Sequence, residues 1–216
     1  MQTTAANSLE VPTALQWLQN CAETYTQHKD KLTQLDAAIG DADHGANMAR
    51  GFNAVQGKLA GLKNSDVGTI FKTVAMTLIS TVGGASGPLY GTFFLQAASG
   101  ANGKSALTHE ELAAALSAGL QGLMHRGKAV VGEKTMVDAL VPALEALRPI
   151  ENDSLAAAVD RAVTAAKKGA DSTVPLVAKK GRASYLGERS AGHLDPGAAS
   201  SVLLLEALQR AIHSTA

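Results

Sequence analysis

Three carboxylates, Asp36, Asp41 and Asp43, fall within eight positions of one another, in a stretch that continues as His44-Gly45-Ala46-Asn47. Like charges this close repel unless a cation sits among them. Hard divalent cations take oxygen ligands, so the cluster reads as a candidate metal site. Placing Asp41 and Asp43 at positions one and three of a calcium-binding helix–loop–helix puts Phe52 at position twelve, where a bidentate Glu is required. That reading fails, and a few carboxylates completed by water and phosphate oxygens is the usual Mg2+ arrangement. Turn and cap roles account for single aspartates, but one helix start needs only one cap.

Gly83-Gly-Ala-Ser-Gly-Pro88 could bring backbone close to an anion, with the free N–H groups of the following helix pointing at it. The run Lys179–Ser190 holds four cations between positions 179 and 189, and Arg182 is the candidate for terminal phosphates, where a guanidinium fork matches phosphate oxygens. A solvated surface loop is the plainer alternative for the same charges. His44 is open between metal ligand, phosphate donor and packed side chain. The stretch Gly122-Leu-Met-His-Arg-Gly-Lys-Ala129 nearly spells a P-loop. Ala129 lacks the Mg2+-binding hydroxyl and no strand precedes it, so that fold is disfavoured.

These residues need positioning, and the surrounding pattern is helical. Apolar residues recur at three and four in Val67–Ile79, Leu112–Leu123, Met136–Leu147 and Leu155–Ala166. Helices are predicted near 11–26, 29–39, 45–60, 66–81, 88–99, 108–126, 135–148, 154–173 and 196–213. Thr108-His-Glu-Glu111 reads as a capping box, Asp195-Pro196 as a cap before a first-turn proline, and Ser65 or Asp66 and Asp153 or Ser154 as further caps. No strand is evident. The fold class is therefore all-α, an antiparallel bundle of about eight helices, with residues 1–216 as one domain and 1–9 as a flexible N-terminal tail.

Composition narrows the function classes. Lys plus Arg and Asp plus Glu are both 19, so no net field favours nucleic acid or an anionic membrane. The single cysteine, Cys21, fits a reducing compartment. Neither a secretory signal nor a membrane-length apolar run is visible, so a cytoplasmic protein is expected.

Taken together, Asp36, Gly40–Gly45, Asn47, Gly83–Pro88, Gly127-Lys128, Lys134–Met136, Lys180–Arg189 and Asp195–Gly197 resemble the nucleotide-binding L subunit of dihydroxyacetone kinase, from about residue 10 to the C-terminus. The resemblance implies an eight-helix antiparallel barrel carrying ADP or ATP and two Mg2+ at one end. It implies Asp36, Asp41 and Asp43 as the metal ligands and, with Arg182, as the catalytic set. His44, Gly45, Ala46, Asn47, Ala85, Ser86, Gly127, Met136, Arg182, Asp195, Pro196 and Gly197 would line the nucleotide pocket. The partners implied are a K subunit that binds dihydroxyacetone covalently through a histidine and an M-type phosphocarrier that recharges ADP; a homodimer is compatible with the same reading. With no room in the chain for a K portion, separate subunits are expected rather than a fused ATP-dependent enzyme. The alternatives are a subunit acting with free ATP on another small keto-sugar, and a nucleotide-sensing module that turns nothing over.

Overall fold

The computed structural model describes residues 7–151 and 153–214. Among them are nine α-helices: α1 (Val11–Gln27), α2 (Lys29–Ile39), α3 (His44–Leu59), α4 (Val67–Thr81), α5 (Ser86–Ala101), α6 (His109–Gly127), α7 (Met136–Ala146), α8 (Leu155–Asp171) and α9 (Pro196–Ser214). Eight close a ring in which α1 packs on α3, then α4, α5, α6, α7, α8 and α9 follow, and α9 returns to α1. α2 lies outside the ring against α3 and α9. The all-α expectation holds.

Chain punctuation matches the cap chemistry. The Asp66 side chain accepts the Thr69 N–H at 2.9 Å, Ser154 accepts that of Ala157 at 3.1 Å, and Thr108 and Glu111 form the capping box. α5 begins at Ser86, two residues earlier than the proline suggested, because a first-turn proline gives up no intrahelical bond. The sequence reading missed two strands, β1 (Ser8–Glu10) and β2 (Ala106–Thr108), paired antiparallel with Leu9 opposite Leu107. Three residues are too few to display alternation. Of the predicted flexible tail, 1–9, residues 1–6 lie outside the described residues, whereas Ser8 and Leu9 are tied into this ribbon.

The ring is filled by side chains. Trp17 is 1% exposed, meets Phe71 edge-on at 5.8 Å and donates its indole N–H to the Leu204 carbonyl at 3.0 Å. Tyr25 stacks on Phe52 at 4.6 Å. Each of these aromatics buries a large area, and the indole N–H finds the partner that burial demands. Among the described residues no helix is long and apolar enough to cross a membrane.

Alternate loops gather at opposite ends, as up-and-down helices require. One end holds α3–α4, α5–α6 and α7–α8: Val67 donates to the Lys104 carbonyl, and the His109 imidazole meets that of Leu147. The other end holds the α2–α3, α4–α5, α6–α7 and α8–α9 connections, where every chemically interesting residue lies.

Candidate metal and phosphate site

The centre is Asp36, buried in the last turn of α2. One of its oxygens, Oδ2, accepts the backbone N–H groups of Asp43 at 2.8 Å and His44 at 3.1 Å, which pins the α2–α3 loop over the carboxylate. Gly40 permits this approach: a Cβ there would sit 2.0 Å from Asp36 Oδ1. Ala42 turns the loop with a φ of 61°, a left-handed value uncommon for a residue with a side chain. Strain of this kind persists where the surroundings over-determine the backbone. The outcome is that Asp36, Asp41 and Asp43 each bring an oxygen to within 4.8 Å of the others, Asp36 buried and the other two exposed. An all-carboxylate donor set of this size fits a hard divalent cation.

Arg182 reaches the cluster from the α8–α9 connection, with Nε 2.8 Å from Asp41 Oδ2. That connection contains a 3-10 segment, Arg182–Ser190, entered through Gly181 at φ 63° and kinked at Gly187. Its base is held by Lys134, whose buried ammonium donates to the carbonyls of Thr173 (2.6 Å) and His193. Burial lowers the Lys134 pKa, opposed by Asp195 and Asp138. The sequence motif contained Lys134, but nothing in its type or spacing foretold this clasp.

The glycine-rich turn lies beside α3. A Cβ on Gly83 would stand 3.1 Å from Asn47 Oδ1, and the same oxygen accepts from Arg50, whose Nε also holds the Thr81 carbonyl at 2.9 Å. Ala85 and Ser86 open α5. Ser86 Oγ is 3.0 Å from His44 Nδ1, and His44 Nε2 is 2.9 Å from Ser200 Oγ in α9. Both ring nitrogens therefore have protein partners, which favours the packed, hydrogen-bonded role among those left open for His44. Burial lowers its pKa, against the opposing charges of Asp36 and Asp43. Gly45 is needed for packing, since a Cβ would meet the Lys29 carbonyl at 2.0 Å; Ala46 follows it in the first turn of α3.

The remaining predicted residues assemble on the neighbouring flank. Asp195 caps α9 by accepting the Ala198 N–H at 2.7 Å, with Pro196 as the first helical residue. Its burial raises the carboxyl pKa to about 7, against that N–H and Lys134. At Gly197 a Cβ would lie 3.5 Å from that of Met136, which opens α7. Gly127 ends α6, where a Cβ would stand 3.2 Å from Leu89. Ser200 and Tyr90 were not anticipated. The available signal was the Ser200-Ser201 pair, two hydroxyls inside the otherwise apolar run Ala198–Leu205. Elsewhere, a cavity of about 360 Å3 between α2, α8 and α9 shares no residue with the carboxylate cluster.

Comparison with known proteins adds family information. Residues 38–210 match the DAK2 domain. The chain is 47% identical over 203 residues to the PEP-dependent dihydroxyacetone kinase, ADP-binding subunit DhaL, of Escherichia coli (strain K12), covering 93% of this chain and 97% of that protein. It is 46% identical over 200 residues to the PTS-dependent dihydroxyacetone kinase, ADP-binding subunit DhaL, of Lactococcus lactis subsp. lactis (strain IL1403), again covering 93% and 97%. Among solved structures, the dihydroxyacetone kinase from C. freundii in complex with AMP-PNP and Mg2+ superposes with a TM-score of 0.70 at 28% identity, over 91% of this chain and 33% of that one.

Proposed function

This chain belongs to the DAK2 domain family, and from that premise we propose that it is the ADP-binding, phosphoryl-transferring subunit of a dihydroxyacetone kinase. The observation that carries the proposal is the convergence of Asp36, Asp41 and Asp43 with Arg182 at the bundle end where α5 begins. Phosphoryl transfer asks mainly for positioning and for neutralisation of charge on the phosphoryl oxygens. Asp36, Asp41 and Asp43 hold Mg2+, two ions in the fullest form of this reading. Bound Mg2+ supplies charge neutralisation and a template for the phosphates. Arg182 places its guanidinium against the transferred group. The first turn of α5, with Ala85 and Ser86, offers N–H and hydroxyl donors to the phosphates. His44 to Asn47, Gly127, Met136 and Asp195 to Gly197 line the remainder of a single nucleotide-binding domain.

The substrate hydroxyl belongs on a partner K subunit, and a phosphocarrier returns ADP to the triphosphate. The high coverage of two free-standing ADP-binding subunits supports this division of labour. A cytoplasmic location follows from the same reading. The test is calorimetric titration with Mg2+·ADP, followed by assay with the K subunit. Binding near one nucleotide per chain, lost in Asp43→Ala, and dihydroxyacetone phosphate formation are expected. No binding by the wild type, or unchanged binding in Asp43→Ala, contradicts the proposal.

A further inference from the structure

Behind Ser86 runs a set of buried polar groups that nucleotide binding alone leaves unexplained. Beyond His44, Ser200 Oγ lies 3.0 Å from the Gly197 carbonyl and 2.8 Å from Tyr90 OH. Ser201 donates to the same carbonyl at 2.8 Å and stands 3.2 Å from Tyr90 OH. Ser200 and Ser201 have no exposed surface and Tyr90 is 1% exposed. These hydroxyls must therefore satisfy one another from their own protons.

Each hydroxyl has one proton, a singly protonated imidazole has one N–H, and a carbonyl only accepts. If Ser200 donates to Gly197, its lone pairs can accept from His44 Nε2–H. Nδ1 is then a bare acceptor, and Ser86 turns its proton inward to it. Ser86 in that state presents only lone pairs to the site, the wrong polarity for a phosphate oxygen. For Ser86 to donate outward, His44 must carry its proton on Nδ1 and Ser200 must turn from Gly197 to Nε2. The Gly197 carbonyl is not orphaned, because Ser201 still donates to it. In both arrangements the Tyr90 hydroxyl has Ser200 or Ser201 as an acceptor for its proton. The two states hold the same number of protons, so none is taken up or released overall.

We propose that Ser200 is a positioning residue whose hydrogen bond reverses between Gly197 and His44, setting the His44 tautomer and thereby aiming the Ser86 hydroxyl at a nucleotide phosphate oxygen. This rests on the nucleotide reading above and deepens it. The relay joins α5, α3 and α9, so phosphate engagement at Ser86 is transmitted to the first turn of α9 beside Asp195. Tyr90, its phenol pKa pushed up to about 12 by burial, stays protonated throughout.

The test is nitrogen NMR of the whole protein labelled with 15N-histidine, with His44 assigned, without nucleotide and with saturating Mg2+·AMP-PNP. The His44 proton is expected on Nε2 without nucleotide and on Nδ1 with it. In Ser200→Ala the nucleotide-dependent exchange is expected to vanish while helical circular dichroism is unchanged. Should that variant not fold, the two wild-type spectra decide alone. The same tautomer in both wild-type states, or a doubly protonated ring with nucleotide bound, overturns the relay and leaves the nucleotide reading standing. Failure to bind Mg2+·AMP-PNP at all overturns both.

Discussion

Arg182 Nε meets Asp41 Oδ2 at 2.8 Å, so the long α8–α9 connection and the carboxylate loop are held as one surface. The Arg182 side chain is 67% exposed, and exposed ion pairs stabilise little, roughly 0–1 kcal/mol. Its importance lies in where it places a guanidinium. Arg182→Ala is expected to leave the melting temperature nearly unchanged and nucleotide affinity within a few-fold, while turnover falls on the order of 100-fold or more. Arg182→Lys should recover only part of that loss, since a point charge does not reproduce the planar fork. Normal turnover in Arg182→Ala would make the segment a solvated loop.

Gly40 and Asp36 give a second expectation. A methyl at position 40 would stand 2.0 Å from Asp36 Oδ1, so Gly40→Ala must displace the carboxylate or the loop above it. The variant should lose most of the thermal stabilisation that Mg2+·ADP confers on the wild type by linkage. Differential scanning fluorimetry with and without Mg2+·ADP reads this directly. An equal shift in variant and wild type would show that Asp36 does not need its observed position.

Lys134 holds carbonyls from both ends of the α8–α9 connection. Lys134→Met removes the donor while keeping much of the stem's bulk; the Thr173 carbonyl keeps the Leu176 N–H, and the His193 carbonyl loses its ammonium partner. A stability loss of about 3 kcal/mol is expected in urea unfolding, and Arg182-dependent turnover should fall with it. A loss below about 0.5 kcal/mol would mean that the clasp contributes nothing net.

Asp195 makes stability depend on pH with a definite sign. Its carboxyl pKa rises from 3.8 to about 7 on folding. The favourable difference is complete below the unfolded value and is lost as pH rises through the folded one. Nucleotide-free protein should therefore weaken between pH 5 and pH 8, by up to about 2.5 kcal/mol as an upper bound. Asp195→Asn retains an acceptor for the Ala198 N–H and should flatten that slope. Urea midpoints at the two pH values, compared between wild type and variant, check this. Parallel slopes would contradict it.

The helices were legible because their apolar stripes, caps and first-turn proline all act locally. Asp66, Ser154 and Thr108 cap the helices that their types suggested. The carboxylate cluster was legible for a similar reason: Asp36, Asp41 and Asp43 are close in sequence, and repulsion needs an explanation wherever it occurs. What escaped is long-range. Ser200 meets His44 across 156 positions, and Lys134 meets His193 across 59. Neither contact leaves a periodic trace. The ribbon of Ser8–Glu10 with Ala106–Thr108 was hidden by its brevity and its sequence separation.

The central claim is that this subunit keeps its nucleotide and passes phosphoryl groups to dihydroxyacetone on a partner. It is tested most directly by desalting the purified protein, adding the K subunit, phosphorylated carrier and dihydroxyacetone, and counting product per retained ADP. Many dihydroxyacetone phosphates per ADP, with no free ATP supplied, are predicted. Loss of ADP on desalting, with product formed only when free ATP is added, would contradict it.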